Sequence, residues 1–539
     1  MNERRLFSGP DSWQTLRHRF KWPDPAGFNI AEACCDSWAK LAPRRVAVIH
    51  VDENFNEKSY TYGALSDASN RFANVLRGLG LERGSRCGIL LAQSPEVLIT
   101  HFACHKLGMV SVLLFTLFGE DGLLYRLQDS GAAALVTDRD NLEKVLNIKD
   151  KLPNLKVIFV IDGAQSGTRD YWADIALASP ELAPVAVGGD DPALISYTSG
   201  TTGPPKGVLH AHRFVLGHLP SVELQHDFFP QPGDVSWTPA DWAWIGGLVN
   251  ISLPSLYYGV PLVSHRLAKF DPDRAFALIA KMKIRNMFLP PTALKLMRQA
   301  RVPKDVNIRS IGSGGEALGA DMLYWGKEAL GVNINEIYGQ TECNLVLCSS
   351  ATVFETRPGA IGKAVPGHEV AIVSSKGREL PAGETGEIAI GTPDVGMFLR
   401  YWNQPEKTAE RFVGSWMRTG DLGVMDKEGY FTFHARDDDV ITSSGYRIGP
   451  TEIENCLTGH EDVVMAAAVG VPDQVRTEVV KAFVVLRKGA EWQGLEAELI
   501  ARVRSRVSPH VAPKTIEPIE AMPMTTTGKI MRRELRKLG

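Results

Sequence analysis

Tyr197-Thr198-Ser199-Gly200-Thr201-Thr202-Gly203-Pro204-Pro205-Lys206-Gly207 is the stretch on which the reading of this chain turns. An apolar run, Ala193 to Tyr197, leads into it and reads as a β-strand. Hydroxyls, glycines and one lysine then crowd together. That mixture suits a polyphosphate: glycine lets backbone N–H groups approach, hydroxyls donate hydrogen bonds, and lysine supplies positive charge. A Walker A loop ends in Lys-Ser or Lys-Thr, whereas Gly207 follows Lys206, so this is a different kind of phosphate loop.

Outward from the loop, strand-like and helix-like segments alternate. Thr61 to Leu79 has helical periodicity and stops at Gly80. Cys87 to Ala92, Val110 to Phe115, Ala132 to Thr137 and Val157 to Ile161 read as strands, with a helix over Glu96 to Leu107. Asn286 to Leu289 and Arg309 to Gly312 are later strands. Such alternation implies right-handed βαβ units and mostly parallel sheet. After about Val365 the pattern changes to short strands and turns (Val370 to Val373, Glu387 to Gly391, Tyr430 to His434), which implies an antiparallel, barrel-like subdomain. The last hundred or so residues read as a separate small unit: helices over Thr451 to Leu457 and Leu495 to Val507, strands over Val463 to Val469 and Lys481 to Leu486, then a basic tail. The fold class expected is therefore α/β, a large N-terminal domain with a barrel-like subdomain and a small α+β C-terminal domain.

Composition narrows the classes. A chain of 539 residues exceeds the size at which one core stops growing, so at least two domains are expected. A net charge of -3 leaves no nucleic-acid footprint. Seven cysteines, with no CxxC pair and no zinc spacing, read as reduced thiols of a cytoplasmic protein. Arg4 and Arg5 have no apolar run behind them, so no secretory signal is read. Trp242 to Val263 carries no formal charge and is long enough to span a bilayer. Its internal Gly246, Gly247, Asn250, Pro254, Gly259 and Pro261 favour a buried helix, a turn and a strand over Val260 to Val263 instead.

Five more strings stand in order along the chain. Gly312-Ser313-Gly314-Gly315-Glu316-Ala317-Leu318 follows a strand and, taken alone, is a strand-to-helix turn. Glu336-Ile337-Tyr338-Gly339-Gln340-Thr341-Glu342 also follows a strand. Thr419-Gly420-Asp421 precedes Arg436-Asp437-Asp438-Asp439-Val440 and Ser443-Ser444-Gly445-Tyr446-Arg447-Ile448. Thr525-Thr526-Thr527-Gly528-Lys529-Ile530-Met531-Arg532-Arg533 lies in the tail. A charge run such as Asp437 to Asp439 usually means a solvated turn, and tail lysines are usually solvated too.

Together with the loop, these strings resemble the adenylate-forming superfamily, which includes acyl-CoA synthetases, luciferases and the adenylation domains of peptide synthetases. The resemblance runs from Phe28 to Leu538. It implies a large domain over residues 1–437 and a small mobile domain over 438–539, with the hinge at Asp438. It also implies ATP, Mg²⁺ and coenzyme A as cofactors and cosubstrates, and a carboxylic acid as substrate. By the same resemblance Thr198, Ser199, Gly200, Thr201, Thr202, Gly203 and Lys206 hold phosphates, and Gly315, Glu316 and Ala317 hold adenine. Glu336, Ile337, Tyr338, Gly339, Gln340 and Thr341 complete the nucleotide site, with Tyr338 stacked on adenine and Thr341 at the α-phosphate. Asp421 and Arg436 meet the ribose, Arg447 a phosphate, and Glu342 the metal. Lys529 is the implied catalytic lysine, supported by Thr341 and Arg436. Ser444, Gly445 and Arg504 are assigned to coenzyme A.

Trp244, Ile245, Gly246, Gly314 and Gly339 are the implied acyl pocket. Acetate-specific relatives place a tryptophan where this chain has Gly339, so a deeper pocket is expected. The pattern looks most like medium-chain acyl-CoA synthetases and their bacterial relatives. A short-to-medium or branched acid is favoured, with a benzoate-type acid or a separate carrier protein as alternatives. The tail string also resembles the segment that lysine acetyltransferases modify in bacterial acyl-CoA synthetases, at Lys529.

Overall fold

The computed structural model describes residues 4–538 apart from 184, 199–203, 268, 317, 437–438, 444–445, 474–476, 510 and 526–527. The expected Ser199, Gly200, Thr201, Thr202, Gly203, Ala317, Asp438, Ser444 and Gly445 thus lie outside the described residues, as do the side chains of Arg436 and Arg447.

Two large mixed sheets carry the body of the chain. One has eight strands, in the order Arg400–Tyr401, Lys206–Ala211, Pro192–Thr198, Val110–Leu113, Arg86–Leu90, Ala134–Thr137, Val157–Val160, Arg169–Asp170. It is parallel except for its first two strands, which run antiparallel to their neighbours. The other has nine, with Ile334–Tyr338, Ser310–Gly314, Asn286–Phe288, Ser236–Trp237, Leu262–Ser264 and Val46–Val51 parallel at its centre. Antiparallel strands close both of its edges.

The helix Tyr62–Gly78 illustrates how sequence sets an element. Thr61 caps it, its hydroxyl accepting from Ala64 N at 3.2 Å, which satisfies one of the orphan donors at a helix start. Leu65, Ala68, Phe72, Ala73 and Leu76 then recur at helical spacing and are all buried. Phe72 meets Phe159 edge-on at 5.1 Å, locking the helix to the sheet. Gly80, at φ +74°, ends the run as expected.

The uncharged stretch from Trp242 is buried core, as its glycines and prolines imply. Short helical turns over Ile245–Gly247, Leu248–Ser252 and Leu253–Tyr258 end at a left-handed Gly259, and the strand is Leu262–Ser264. Among the described residues no helix is long and apolar enough to cross a membrane.

Beyond Val370 the strands Val370–Val373, Thr385–Gly391, Trp416–Met425, Phe412–Val413 and Phe431–Arg436 form an antiparallel sheet. The C-terminal region has its own sheet, Tyr446–Ile448, Ile441–Ser443, Thr477–Leu486 and Val463–Asp473, joined by Thr515–Pro518. Helices Pro450–Thr458 and Leu495–Arg506 cover it, and its two apolar clusters draw only on residues from Ile441 onward. A unit with a private core of this kind is what the change of pattern in the sequence implies.

The helix Phe214–Gln225 has no counterpart in the sequence reading, because every one of its residues is buried and no polar face marks its period. Its Glu223 accepts from Leu6 N at 2.6 Å, Phe7 N at 3.1 Å and Tyr258 Oη at 2.6 Å, pinning the N-terminal segment. Burial pushes the Glu223 carboxyl up from about 4.5 to about 7 against those donors. The folded chain therefore holds a proton that the unfolded chain has released between about pH 4.5 and 7, so this group's contribution to stability falls as pH rises through that window. Denaturant titrations at pH 5 and pH 7.5 should show a larger loss on raising pH for the wild type than for Glu223→Gln. Equal losses would show that Glu223 does not titrate there.

Candidate active site

The register Gly314↔Ile337 sets two neighbouring parallel strands side by side. The Gly314-Gly315-Glu316 turn and the Gly339-to-Glu342 turn consequently leave the same carboxyl edge of one sheet as neighbours, the place where open α/β sheets bind ligands. Gly315 has φ +102°, a conformation that favours glycine. A Cβ there would lie 3.5 Å from the Trp244 indole and 4.0 Å from Lys529 Cε. The turn from the first domain and the lysine from the far end of the chain thus meet over one glycine.

Lys529 sits on a tight turn: Thr525 N donates to Lys529 O at 2.7 Å, and Lys529 N donates to the Thr525 hydroxyl at 3.0 Å. The next residue docks onto the large domain, Ile530 N reaching Glu316 Oε1 at 3.3 Å. Burial raises the Glu316 carboxyl, and the nearby Lys295 and Arg532 oppose that shift. Arg532 Nη2 donates to both carboxylate oxygens of Glu454, each at 2.7 Å, and Arg532 approaches Asp439 at 3.5 Å. Arg536 also pairs with Asp439, at 3.1 Å. The basic tail is therefore tied to the acidic run; at Asp439 a solvated turn is replaced by ion pairs.

Beside this, Tyr338 Oη donates to Asp421 Oδ2 at 2.7 Å, and Gln340 Nε2 donates to Thr419 O at 2.9 Å and Asp421 Oδ2 at 3.3 Å. Burial, reinforced by Asp421, pushes the Tyr338 phenol up. Asp421 and Arg436 are partners across adjacent strands, so the two expected ribose residues share one rung. Glu336 lies two residues before Tyr338 on the same strand, with Leu318 N donating to it at 3.3 Å, and burial raises its carboxyl to about 7.

The expected phosphate loop joins two antiparallel strands, in which Thr198 and Lys206 are cross-strand partners. Its base is anchored from below: Tyr197 Oη donates to Asp129 Oδ2 at 2.7 Å, and Tyr125 Oη donates to Pro205 O at 2.9 Å. Lys206 Nζ lies 4.6 Å from the centre of the Tyr401 ring, and Tyr401 Oη donates to Glu342 Oε1 at 2.5 Å. Arg411 binds Gln340 Oε1 and comes within 3.9 Å of Glu342. Tyr401 and Arg411 escaped the sequence reading, since neither lies in a local string; only the fold brings them to Lys206 and Glu342.

The surroundings of two further expected residues are as follows. Arg504 is exposed on its helix, while Arg502 instead binds Cys456 O and Gly459 O at the end of the neighbouring helix. At Gly339 a Cβ would lie 2.8 Å from Asn344 Cα and collide with Leu345 N. The turn itself demands glycine there, whatever the depth of the acyl pocket. Trp244 packs at 5.6 Å from Phe288, and a Cβ at Gly246 would lie 2.8 Å from the same indole.

Residues 35–402 match the model of the AMP-binding enzymes, and residues 452–529 match the AMP-binding enzyme C-terminal domain. The chain belongs to the AMP-binding enzyme family. It is 34% identical to an acetyl-coenzyme A synthetase of Bacillus subtilis, over 97% of this chain and 94% of that protein. It is 32% identical to a mitochondrial acyl-coenzyme A synthetase of Mus musculus, over 98% and 93%. The crystal structure of the anthranilate CoA ligase AuaEII in complex with anthranoyl-AMP superposes with a TM-score of 0.88 at 27% identity, covering 96% of this chain and 98% of that one.

The turn geometry gives a direct expectation for this AMP-binding enzyme. Gly339→Ala should cost about 1–3 kcal/mol, because the Asn344–Leu345 backbone must shift to admit a methyl group. Chemical denaturation checks this; an unchanged midpoint would show that the turn has slack.

Proposed function

We propose that this enzyme is an acyl-CoA synthetase. It joins a carboxylic acid to AMP with release of pyrophosphate, then transfers the acyl group to coenzyme A. The observation that carries this reading is the approach of Lys529 to Gly315, the glycine that also faces Trp244, at the edge that also gathers Lys206, Glu342, Tyr338 and Asp421.

In the first half-reaction a carboxylate oxygen attacks the α-phosphorus of ATP, and the bond to the pyrophosphate oxygen breaks. Lys529 offsets the negative charge shared by the attacking carboxylate and the α-phosphate, the point at which a placed cation matters most. Lys206 and the loop from Thr198 hold the outer phosphates, while Asp421, with Arg436, holds the ribose. Thr341 orients the α-phosphate. Among the described residues no group of three or more His, Cys, Asp or Glu could hold a metal ion. A Mg²⁺ ion would therefore take the Glu342 carboxylate together with phosphate oxygens and water, a donor set that suits it. When bound, it neutralises charge on the phosphates. Tyr401 fixes the Glu342 carboxylate from behind. In the second half-reaction the small domain, residues 438–539, turns about Asp438, and the segment of Ser444 and Gly445 takes the pantetheine chain. The thiol of coenzyme A attacks the acyl carbonyl, and AMP leaves. A cytoplasmic site of action fits these soluble substrates.

A short-to-medium or branched acid is the first reading of the substrate. An aromatic acid is the second, favoured by the likeness to the anthranilate ligase and by the Trp244–Phe288 pair. The exposure of Lys529 supports a lysine acetyltransferase as a partner, since acetylation there would remove the charge that adenylation requires.

Two experiments test the reading. Lys529→Ala should lower acyl-adenylate formation by about a hundredfold or more while sparing thioester formation from supplied acyl-adenylate. Equal loss in both half-reactions would remove Lys529 from the adenylation step. Tyr401→Phe keeps the ring beside Lys206 and deletes only the donor to Glu342. The Mg²⁺ concentration for half-maximal pyrophosphate release should then rise about tenfold, as is usual when the partner of a ligating group is lost. An unchanged Mg²⁺ requirement would separate Tyr401 from the metal.

A further inference from the structure

Behind the expected acyl wall lies a group of uncharged polar side chains that the reaction itself does not use. Asn250 stands about one helical turn beyond Gly246, and Asn344 stands two residues beyond Glu342. Both are buried, at 3% and 8% exposure. Asn344 Nδ2 donates to Asn250 Oδ1 at 2.7 Å. Read either way round, an amide pair joined by one such bond leaves one carbonyl and one NH₂ over. Among the described residues, Asn344 Oδ1 and Asn250 Nδ2 have no protein hydrogen-bond partner.

Gln225 stands next to this pair, its Nε2 donating to Asn250 O at 3.3 Å. Its Oε1 is fully buried and unpartnered, and a Cβ at Gly312 would lie 2.9 Å from its Cδ. Gly312 and Gly314 share one face of their strand, by the two-residue period of a β-strand, so Gln225 lies one rung below the Gly314–Gly315 turn that meets Trp244. Gly339 meets Asn344 on the other side. Gln225 thus adjoins the strand that ends at the Gly314–Gly315 turn, and the Asn344 backbone adjoins the Gly339 turn beside it. None of the three amides is ionisable.

Leaving a buried amide group unpaired costs about 1–3 kcal/mol. A plain alkyl end that covered the Asn250–Asn344 pair would impose that cost, a carboxylate would find no cation among these three side chains, and an uncharged donor-acceptor would avoid the cost. We propose that the Asn250–Asn344 pair, backed by Gln225, selects a carboxylic acid whose distal end carries a hydroxyl or another uncharged group that both donates and accepts hydrogen bonds. This rests on the acyl-CoA synthetase reading and names the substrate class of that same site.

The test is a panel of matched acids assayed for pyrophosphate release by the wild-type enzyme: hexanoate against its ω-hydroxy counterpart, and benzoate against its monohydroxylated forms. In at least one pair, kcat/KM for the hydroxylated acid should exceed that of its partner about tenfold or more. Asn344→Leu should erase that ratio by lowering kcat/KM for the hydroxylated acid while sparing the plain one. Preference for the plain acid in every pair would overturn the proposal, and so would an equal fall for both acids in Asn344→Leu. The wild-type ratios decide the matter even if that variant fails to fold. Pyrophosphate release from no acid at all would instead overturn the acyl-CoA synthetase reading, and the substrate class with it.

Discussion

The parallel pairing of Ser310–Gly314 with Ile334–Tyr338 is the constraint on which the site depends. Because Gly314 and Ile337 are partners, the turns that follow them emerge at the same height and cannot drift apart. Ridges of side chain would fill the gap between those turns, so the sequence gives up side chains there. Gly314 would press a Cβ into the Ile337 carbonyl, Gly315 needs a left-handed backbone, and Gly339 faces the Asn344–Leu345 backbone. A shallow furrow of bare backbone is left, of the kind that lets a flat ring approach closely.

Around that furrow the charged groups are held by neighbours distant in the chain. Tyr401 stands between Lys206 and Glu342, touching one through its ring and the other through its hydroxyl. Burial and the Glu342 charge push its phenol up, so it remains a donor to the carboxylate at any physiological pH. Arg411 ties Gln340 to the same corner, and Asp421 receives both Tyr338 and Gln340. These contacts form one continuous polar network in which each side chain limits the rotamers of the next, which suits a site that works by placing charges rather than by moving them.

Among the described residues, the small C-terminal unit meets the furrow through polar contacts and shares no apolar core with it. Ile530 N on Glu316 and Lys529 over Gly315 reach the large domain. Arg532, Glu454, Asp439 and Arg536 hold the tail to its own unit. An interface made of hydrogen bonds and small contacts can part at lower cost than one that must expose buried apolar surface.

What the sequence alone determined was local. Strand and helix positions followed from short-range period, as in Tyr62–Gly78 and Val370–Val373, and the strings around Gly200, Gly315, Gln340 and Lys529 named the chemistry because each is contiguous. The change of pattern after Val365 and the private core beyond Ile441 were legible for the same reason. The helix Phe214–Gln225 was not, since a helix buried on all sides shows no amphipathic period. Nor were Tyr401, Arg411, or the amides Gln225, Asn250 and Asn344: each is an ordinary residue in an ordinary stretch. Their meaning arises from contacts across tens to hundreds of residues, and only strand order and register decide which of those contacts are made.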